Sequence, residues 1–328
     1  MMVRIPSSPP AIRPLSADVH RPRWSVMIPV YNCSLFLPET LESVLQQAGS
    51  EDDMQIEVVD DASTDADVEA IVQRIGKGRI KYYRQPENRG SLRNFETCIN
   101  RAIGHLVHIL HGDDKVLNGY YSKVEALFRK FPEAGAAFCR FNYIDHKGDI
   151  SYNQRPEMKQ DGILKDWLEK IAEYQRIQYV AITVRREVYE KLGGFYGVTY
   201  GEDWDMWVRI AREYPVAYSP EILAEYRKHV SSISGNKFLQ AENLKDMSWV
   251  MNVIQEYLPE EAREKIMRKS RKFYSFYGLR VANDLWHATH NKDCVQRQVQ
   301  QALNLYRRHP LLYWKILKVY IKMRFNIL

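Results

Sequence analysis

Residues 108–116 read HILHGDDKV, an apolar run broken by a glycine and closed by two adjacent carboxylates, Asp113 and Asp114. Two anions side by side repel, so such a pair persists where positive charge neutralises it. Hard oxygen ligands of this kind suit Mg²⁺ or Mn²⁺. A second acidic group stands in YGEDWDMWVRIA, where Asp203 opens an amphipathic stretch carrying Trp204, Trp207, Val208, Ile210 and Ala211. A carboxylate there is either an N-terminal cap complementing the helix dipole or a base that takes a proton from a hydroxyl. Asp205 reads as helix surface. A third set, Asp60-Asp61-Ala62-Ser63, closes a β-rich run and has a plain reading as a turn capped at Ser63 or Asp65.

These groups need a scaffold that brings them together, and the hydrophobic pattern supplies one. Over residues 24–141, short β-rich runs (WSVMIPV, IEVVDD, IKYYRQ, HLVHILH, AAFCRF) alternate with helical stretches (LPETLESVLQQ, DADVEAIVQRI, SLRNFETCINRAI, GYYSKVEALFRKF). That alternation predicts an α/β fold with a mainly parallel sheet and helices on both faces. Ligands of such sheets sit beyond the carboxyl ends of the strands. There the chain places Pro29-Val30-Tyr31-Asn32, Asp60-Asp61, Asn88-Arg89-Gly90 and His111-Gly112-Asp113-Asp114. The first strand-to-helix turn, VYNCSLFLP, lacks the G-x-G-x-x-G of a dinucleotide site, and no P-loop is present. A diphosphate bound at this rim therefore needs a divalent cation between itself and the aspartates.

Composition narrows the class further. With 328 residues and 45% hydrophobic content, the chain is long enough for a globular fold with a substantial core. The net charge of +6 is uneven: from residue 240 onward 16 Lys and Arg face 8 Asp and Glu, which leaves the rest of the chain at −2. Basic character confined to the tail argues against a nucleic-acid binder. Cys33, Cys98, Cys139 and Cys294 are scattered without C-x-x-C and predict reduced, packed thiols. Neither a secretory signal nor a membrane-spanning run is apparent, so a cytoplasmic location is expected. The Pro-rich residues 1–22 read as a disordered leader.

Seven segments in order carry a resemblance: IPVYN (28–32), VVDDASTD (58–65), NRG (88–90) with Asn94, GDD (112–114), GGF (193–195), GEDWDMW (201–207) and YRKHVSSIS (226–234). Together they resemble the family 2 glycosyltransferases of GT-A fold over about residues 23–235. The resemblance implies a Rossmann-like GT-A domain at 23–237 and an inverting transfer of a sugar from a nucleotide-diphosphate sugar, with Mn²⁺ or Mg²⁺. It implies that Pro29, Tyr31, Asn32, Asp60, Asp61, Arg89, Arg93, Asn94 and Asp113 bind the nucleotide. A carboxylate at 60 or 61 accepting the uracil N3–H favours UDP. Tyr31 either stacks on the base or packs, and Arg89, Arg93 and Asn94 otherwise read as an exposed helix start.

By the same resemblance Asp113, Asp114 and His229 hold the metal, and Asp203 is the base. Glu202, Trp204 and Arg227 meet the acceptor or the diphosphate. His111 replaces the first carboxylate of the D-x-D-D pattern many relatives carry; taken alone it reads as a packed strand end. His229 otherwise reads as a surface loop residue.

Residues 238–328 read as a helical C-terminal region, with Lys315, Lys318 and Lys322 on one face of the last helix. This region is either a packed appendage or a surface for peripheral contact with the inner face of the plasma membrane. The expected acceptor is a glycan or lipid-linked saccharide in surface polysaccharide synthesis. Two other functions fit the motifs less well. A sugar-nucleotide pyrophosphorylase would carry a Gly-rich basic phosphate loop, which is absent. A catalytically silent nucleotide-sugar-binding scaffold would be expected to lose Asp203 or the aspartate pair, and both are kept.

Overall fold

The computed structural model describes residues 3–327. In chain order it contains β1 (Trp24–Val30), α1 (Leu37–Leu45), β2 (Met54–Asp60), α2 (Val68–Gly76), β3 (Lys81–Arg84), α3 (Ser91–Arg101), β4 (Leu106–Ile109), β5 (Lys115–Val116) and α4 (Tyr120–Lys130). Then come β6 (Ala136–Ile144), β7 (Ile150–Asn153), β8 (Gly162–Ile163), α5 (Trp167–Glu173), β9 (Ile182–Arg185), α6 (Arg186–Leu192), α7 (Glu202–Glu213) and β10 (Val216–Arg227). The C-terminal part adds α8 (Ile233–Leu239), α9 (Asn243–Ile254), α10 (Glu260–Thr289), α11 (Lys292–Leu305) and α12 (Pro310–Phe325).

Two compact units form. The first comprises the chain up to Trp167 together with Ile177–Gly197 and Arg209–Lys228. Its sheet runs β3-β2-β1-β4-β9-β6-β10-β5, with β7 on β6 and β8 on β10. Pairing is parallel from β3 through β4 and antiparallel on both sides of β9. Every residue of β1 and β2 is buried, as expected for central strands covered on both faces. Helix α1 turns Leu37, Leu41 and Val44, spaced by one turn each, into the same core. Strand β10 pairs in parallel with β6 and antiparallel with β5, and so delivers Arg227 beside the loop that precedes β5.

The expected disordered leader is instead packed along this unit. Pro10 O accepts from Gly194 N (2.8 Å), Pro6 O from Gly197 N (2.9 Å) and Pro22 O from His105 N (3.1 Å), while Ile12 is buried. Low hydrophobicity does not prevent this, because proline has little backbone freedom to lose and presents carbonyls without an N–H of its own to satisfy. At Gly193, where φ is +77°, a Cβ would lie 2.8 Å from Pro10 O, so the close approach of the strap needs glycine there.

The second unit comprises Leu168–Arg176, Val198–Val208 and the chain from His229 onward. Its last segment thus begins nine residues before the expected boundary at 238, and the unit also takes in Leu168–Arg176 and the start of α7. Helix α10, thirty residues and about 45 Å long, is its spine. Gly278 lets it approach α9 closely, since a Cβ there would meet Leu244 Cδ1 at 2.6 Å. Helix α12 packs through Leu312, Ile316, Val319 and Met323 and leaves Leu311, Trp314, Leu317, Ile321 and Phe325 exposed. Lys315, Lys318 and Lys322, at i, i+3 and i+7, fall on one side of α12 as expected, and Lys322 is half-buried there, its Nζ meeting Asn283 Oδ1 (3.0 Å) and His287 Nε2 (2.7 Å). No helix among the described residues is long and apolar enough to cross a membrane.

Packing of the strap generates a direct test. Ile12→Ala should lower the unfolding free energy by about 2–4 kcal/mol in urea titration, the usual loss for a buried Ile. A change within about 0.5 kcal/mol, typical of an exposed position, would mean that the strap does not pack.

Candidate active site

The rim of the first unit is built from four strand ends. After β1, Asn32 takes a left-handed φ of +49°. Its N–H donates to Ser63 Oγ (3.1 Å) and its Oδ1 accepts from Thr64 N (2.8 Å), which locks the β1 loop to the β2 loop. Tyr31 beside it is half exposed, and Pro29 is the penultimate residue of β1. At the end of β2 both aspartates are buried and engaged. Asp60 accepts from Ser63 N, Tyr82 Oη and Arg84 Nη1, while Asp61 spans Arg89 N and Gly90 N, each at 2.8 Å.

Burial pushes the Asp61 carboxyl upward, and these two N–H groups oppose that shift. Asn94 Nδ2 donates to Val59 O, and Arg93 pairs with Glu96 while donating to Val3 O. Arg4, on the strap, donates to Asn88 Oδ1. Asn32, Asp60, Asp61, Arg93 and Asn94, all expected to read a nucleotide, therefore also brace the loops around them. Arg89 Nε is buried without a hydrogen-bond partner.

The loop between β4 and β5 carries the acidic pair. Gly112 is required by close approach, because a Cβ there would lie 2.8 Å from Cys33 Sγ and 3.0 Å from Val30 Cγ2. Asp114 is buried; its Oδ1 accepts from Arg227 N (2.8 Å), whereas Oδ2 has no hydrogen-bond partner. Burial, reinforced by Asp113, raises the Asp114 carboxyl well above the usual range. His111 packs between Phe95 and Tyr179 with ring centroids 5.2 and 4.5 Å away, and its Nε2 is also buried without a partner. Burial lowers the pKa of this imidazole and favours the neutral, ligating form, against the opposing pull of Asp113.

One potential ligand atom from each of His111, Asp113 and Asp114 falls within a span of 4.8 Å. The donor set, one neutral imidazole and two carboxylates with two buried unpaired atoms, fits a divalent cation. His111 is thus both a packed ring and a candidate ligand. His229 is not in this cluster; it belongs to the second unit, where Nδ1 meets Ser231 Oγ at 2.8 Å.

Arg227 departs from the role expected of it. It is almost fully buried, and its guanidinium donates to Asp113 O (2.9 Å), Asp145 O (3.3 Å) and Glu39 Oε2 (2.8 Å) over the ring of Phe36. Three of its five N–H donors are engaged in this way, and the guanidinium clamps the acidic loop.

In the second unit, Asp203 lies in the first turn of α7 rather than before it. Its Oδ1 accepts from Trp204 N and its Oδ2 from Gln175 Nε2. Burial raises its pKa to about 7, against the opposing pull of these two donors. Trp204 is fully buried and donates its indole N–H to Ile171 O (2.6 Å), so it packs the helix and cannot line an acceptor site. Asp205, expected on the surface, is buried and accepts from Tyr257 Oη (3.0 Å). Glu202 is buried at the same helix start. Gln175 was not legible in the sequence: it sits in a non-repeating stretch after α5, with no pattern that points to it.

The comparisons with known proteins agree with this architecture. Residues 25–193, just over half of the chain, match the family described as Glycosyl transferase family 2. An uncharacterized protein of Mycobacterium tuberculosis is 29% identical over 240 residues, which cover 66% of this chain and 70% of that one. Among solved structures, Staphylococcus aureus TarS 1–349 in complex with UDP-GlcNAc superposes with a TM-score of 0.64 at 14% identity, covering 92% of this chain and 89% of its own. The mannosyltransferase PcManGT of Pyrobaculum calidifontis, in complex with GDP-Man and Mn²⁺, gives 0.57 at 18% identity over 98% and 90%. The GT-A fold is shared, and the chain, a glycosyltransferase, belongs to glycosyl transferase family 2.

Proposed function

We propose that this enzyme is an inverting glycosyltransferase that uses a UDP-sugar and places the sugar on a hydroxyl of a saccharide or lipid-linked acceptor. The observation that carries the reading is the His111, Asp113 and Asp114 cluster with its two buried unpartnered atoms, set in a rim without a phosphate-binding glycine loop. Mn²⁺ or Mg²⁺ held by these three residues would supply the positive charge that a diphosphate needs beside two carboxylates. UDP-GlcNAc in the TarS complex supports a uridine donor, and Mn²⁺ in the PcManGT complex supports the metal. Asp60 and Asp61 hold the loops that would carry the base and ribose, with Tyr31 available for stacking and Arg89, Arg93 and Asn94 at the start of α3.

Asp203 is the proposed base. Its ionised carboxylate takes the proton of the acceptor hydroxyl while that oxygen bonds to the anomeric carbon. The carbon–oxygen bond to the diphosphate breaks on the opposite face, which inverts the configuration. Gln175 Nε2 and Trp204 N fix the direction of the carboxylate. A pKa of about 7 keeps a strong base in reach at neutral pH. The tail, with its exposed apolar residues beside lysines, supports peripheral membrane contact, and surface polysaccharide synthesis by a cytoplasmic enzyme is the setting proposed for it.

Two outcomes test this reading. UDP should bind markedly more weakly with a chelator than with Mn²⁺ in calorimetry, and Asp113→Asn combined with Asp114→Asn should abolish the difference; equal affinity in both conditions would refute the metal-linked donor site. For the base, turnover should rise with pH through about 7, and Asp203→Asn should reduce it by roughly 10²–10⁴-fold with donor affinity retained.

Stability should move the other way. Because the folded pKa lies above the unfolded 3.8, the folded state keeps a proton that the unfolded chain has released, and stability is lost as pH rises from 3.8 to about 7. Asp203→Asn should therefore be more stable than the parent above that window, by up to about 4 kcal/mol. Wild-type turnover in a folded Asp203→Asn variant would leave Asp203 as a helix-start residue only.

A further inference from the structure

The second unit contains a cleft of about 520 Å³ that none of the nucleotide-site residues enters. It lies against α10, whose Lys272, Phe273, Tyr277 and Arg280 recur at helical spacing on one face, and it is closed by Tyr174 and by Lys315 of α12. Tyr174 and Phe273 stack at 4.1 Å with Arg176 on the far face of Tyr174 at 3.8 Å, and Arg280 lies over Tyr277 at 5.1 Å. The acid in the cleft, Glu173, is already paired with Lys269 and Arg176. Lys272, Arg280 and Lys315 have no carboxylate partner among the described residues. All three are exposed and hydrated, and together they give the cleft a positive potential that attracts an anion.

Position ties this cleft to the base. Tyr174 precedes Gln175, whose side chain holds Asp203 and whose backbone N–H donates to Tyr274 Oη (3.1 Å), the neighbour of Phe273. Tyr274 in turn lies 5.2 Å from Trp204, the residue after Asp203. Beyond Lys315, α12 continues as the exposed stripe of Leu311, Trp314, Leu317, Ile321 and Phe325, with the packing stripe on its other side. An anion site beside the base, continuous with an exposed apolar surface, matches an amphiphile with a phosphate head and a long apolar chain.

We infer that this cleft binds the phosphate of a lipid-linked acceptor, with Lys272, Arg280 and Lys315 on the phosphate, Tyr174, Phe273 and Tyr277 against the group attached to it, and the α12 stripe on the membrane. This rests on the transferase reading above and names the acceptor for it.

The test uses the full chain and three probes: phosphatidylcholine vesicles carrying a polyisoprenyl phosphate, the same vesicles carrying phosphatidylglycerol at equal surface charge, and soluble sugar phosphate. Co-sedimentation should favour the polyisoprenyl phosphate vesicles by about tenfold or more in affinity. The combined Lys272→Ala, Arg280→Ala and Lys315→Ala variant should lose that preference, and Leu317→Glu with Ile321→Glu should lose vesicle binding altogether. Equal binding to both anionic vesicles, a preference unchanged in the triple variant, binding to neither, or equally tight binding of soluble sugar phosphate would each overturn the inference. UDP binding with Mn²⁺ and the melting temperature, read on the same preparations, separate a failed cleft from a failed donor site or a misfolded variant.

Discussion

The carboxylate of Asp114 is buried and held on one side only, and much of the first unit is arranged around that imbalance. Oδ1 takes the backbone N–H of Arg227, while Oδ2 has no partner. An uncompensated buried charge costs several kcal/mol, so burial drives the group toward protonation. Neighbouring elements fix the loop in this unfavourable state. Thr40 Oγ1 on α1 donates to Asp114 O (2.7 Å), Arg227 on β10 reaches Asp113 O and Glu39, and Gly112 lies so close to Cys33 that a Cβ there would displace its Sγ. A site that meets a cation with its ligands already desolvated and positioned has little left to reorganise when the ligand arrives.

The nucleotide side follows a related logic. Asp61 and Asn32 accept backbone N–H groups of the loops around them, and Asp60 accepts one more beside Tyr82 and Arg84. Those loops hold otherwise irregular chain at the carboxyl ends of parallel strands, where secondary structure cannot satisfy the backbone. The acidic residues of the motif therefore shape a concave edge as well as lend it charge, and the strap of residues 3–22 reinforces that edge through Arg4 and Val3.

The parallel sheet and its helices were readable because buried strands leave continuous apolar runs and surface helices leave one-turn spacing, both local properties of sequence. The acidic loop was readable because two adjacent carboxylates demand a counter-charge wherever they fold. Direction was not readable. Arg227 and Trp204 occupy motif positions, yet one points back into the loop it stabilises and the other into the helix core, and spacing alone does not distinguish inward from outward. The strap was hidden because its packing depends on proline carbonyls and a single buried Ile12 rather than on overall hydrophobicity. Helix α12 carries apolar residues on two faces, so its pattern could not reveal which one packs. Gln175 acts through one long-range hydrogen bond, and no local pattern encodes such a contact.

The first unit thus holds a buried, half-partnered carboxylate, and the second an exposed basic cluster. The claim on which the rest turns is that the Asp114 loop is a cation site. The most direct measurement is Mn²⁺ binding followed by electron paramagnetic resonance in the presence of UDP, comparing the parent chain with Asp114→Asn and His111→Ala. Stoichiometric capture of Mn²⁺ by the parent, weakened by about tenfold or more in both variants, is the predicted result. Capture by Asp114→Asn equal to that of the parent would contradict it.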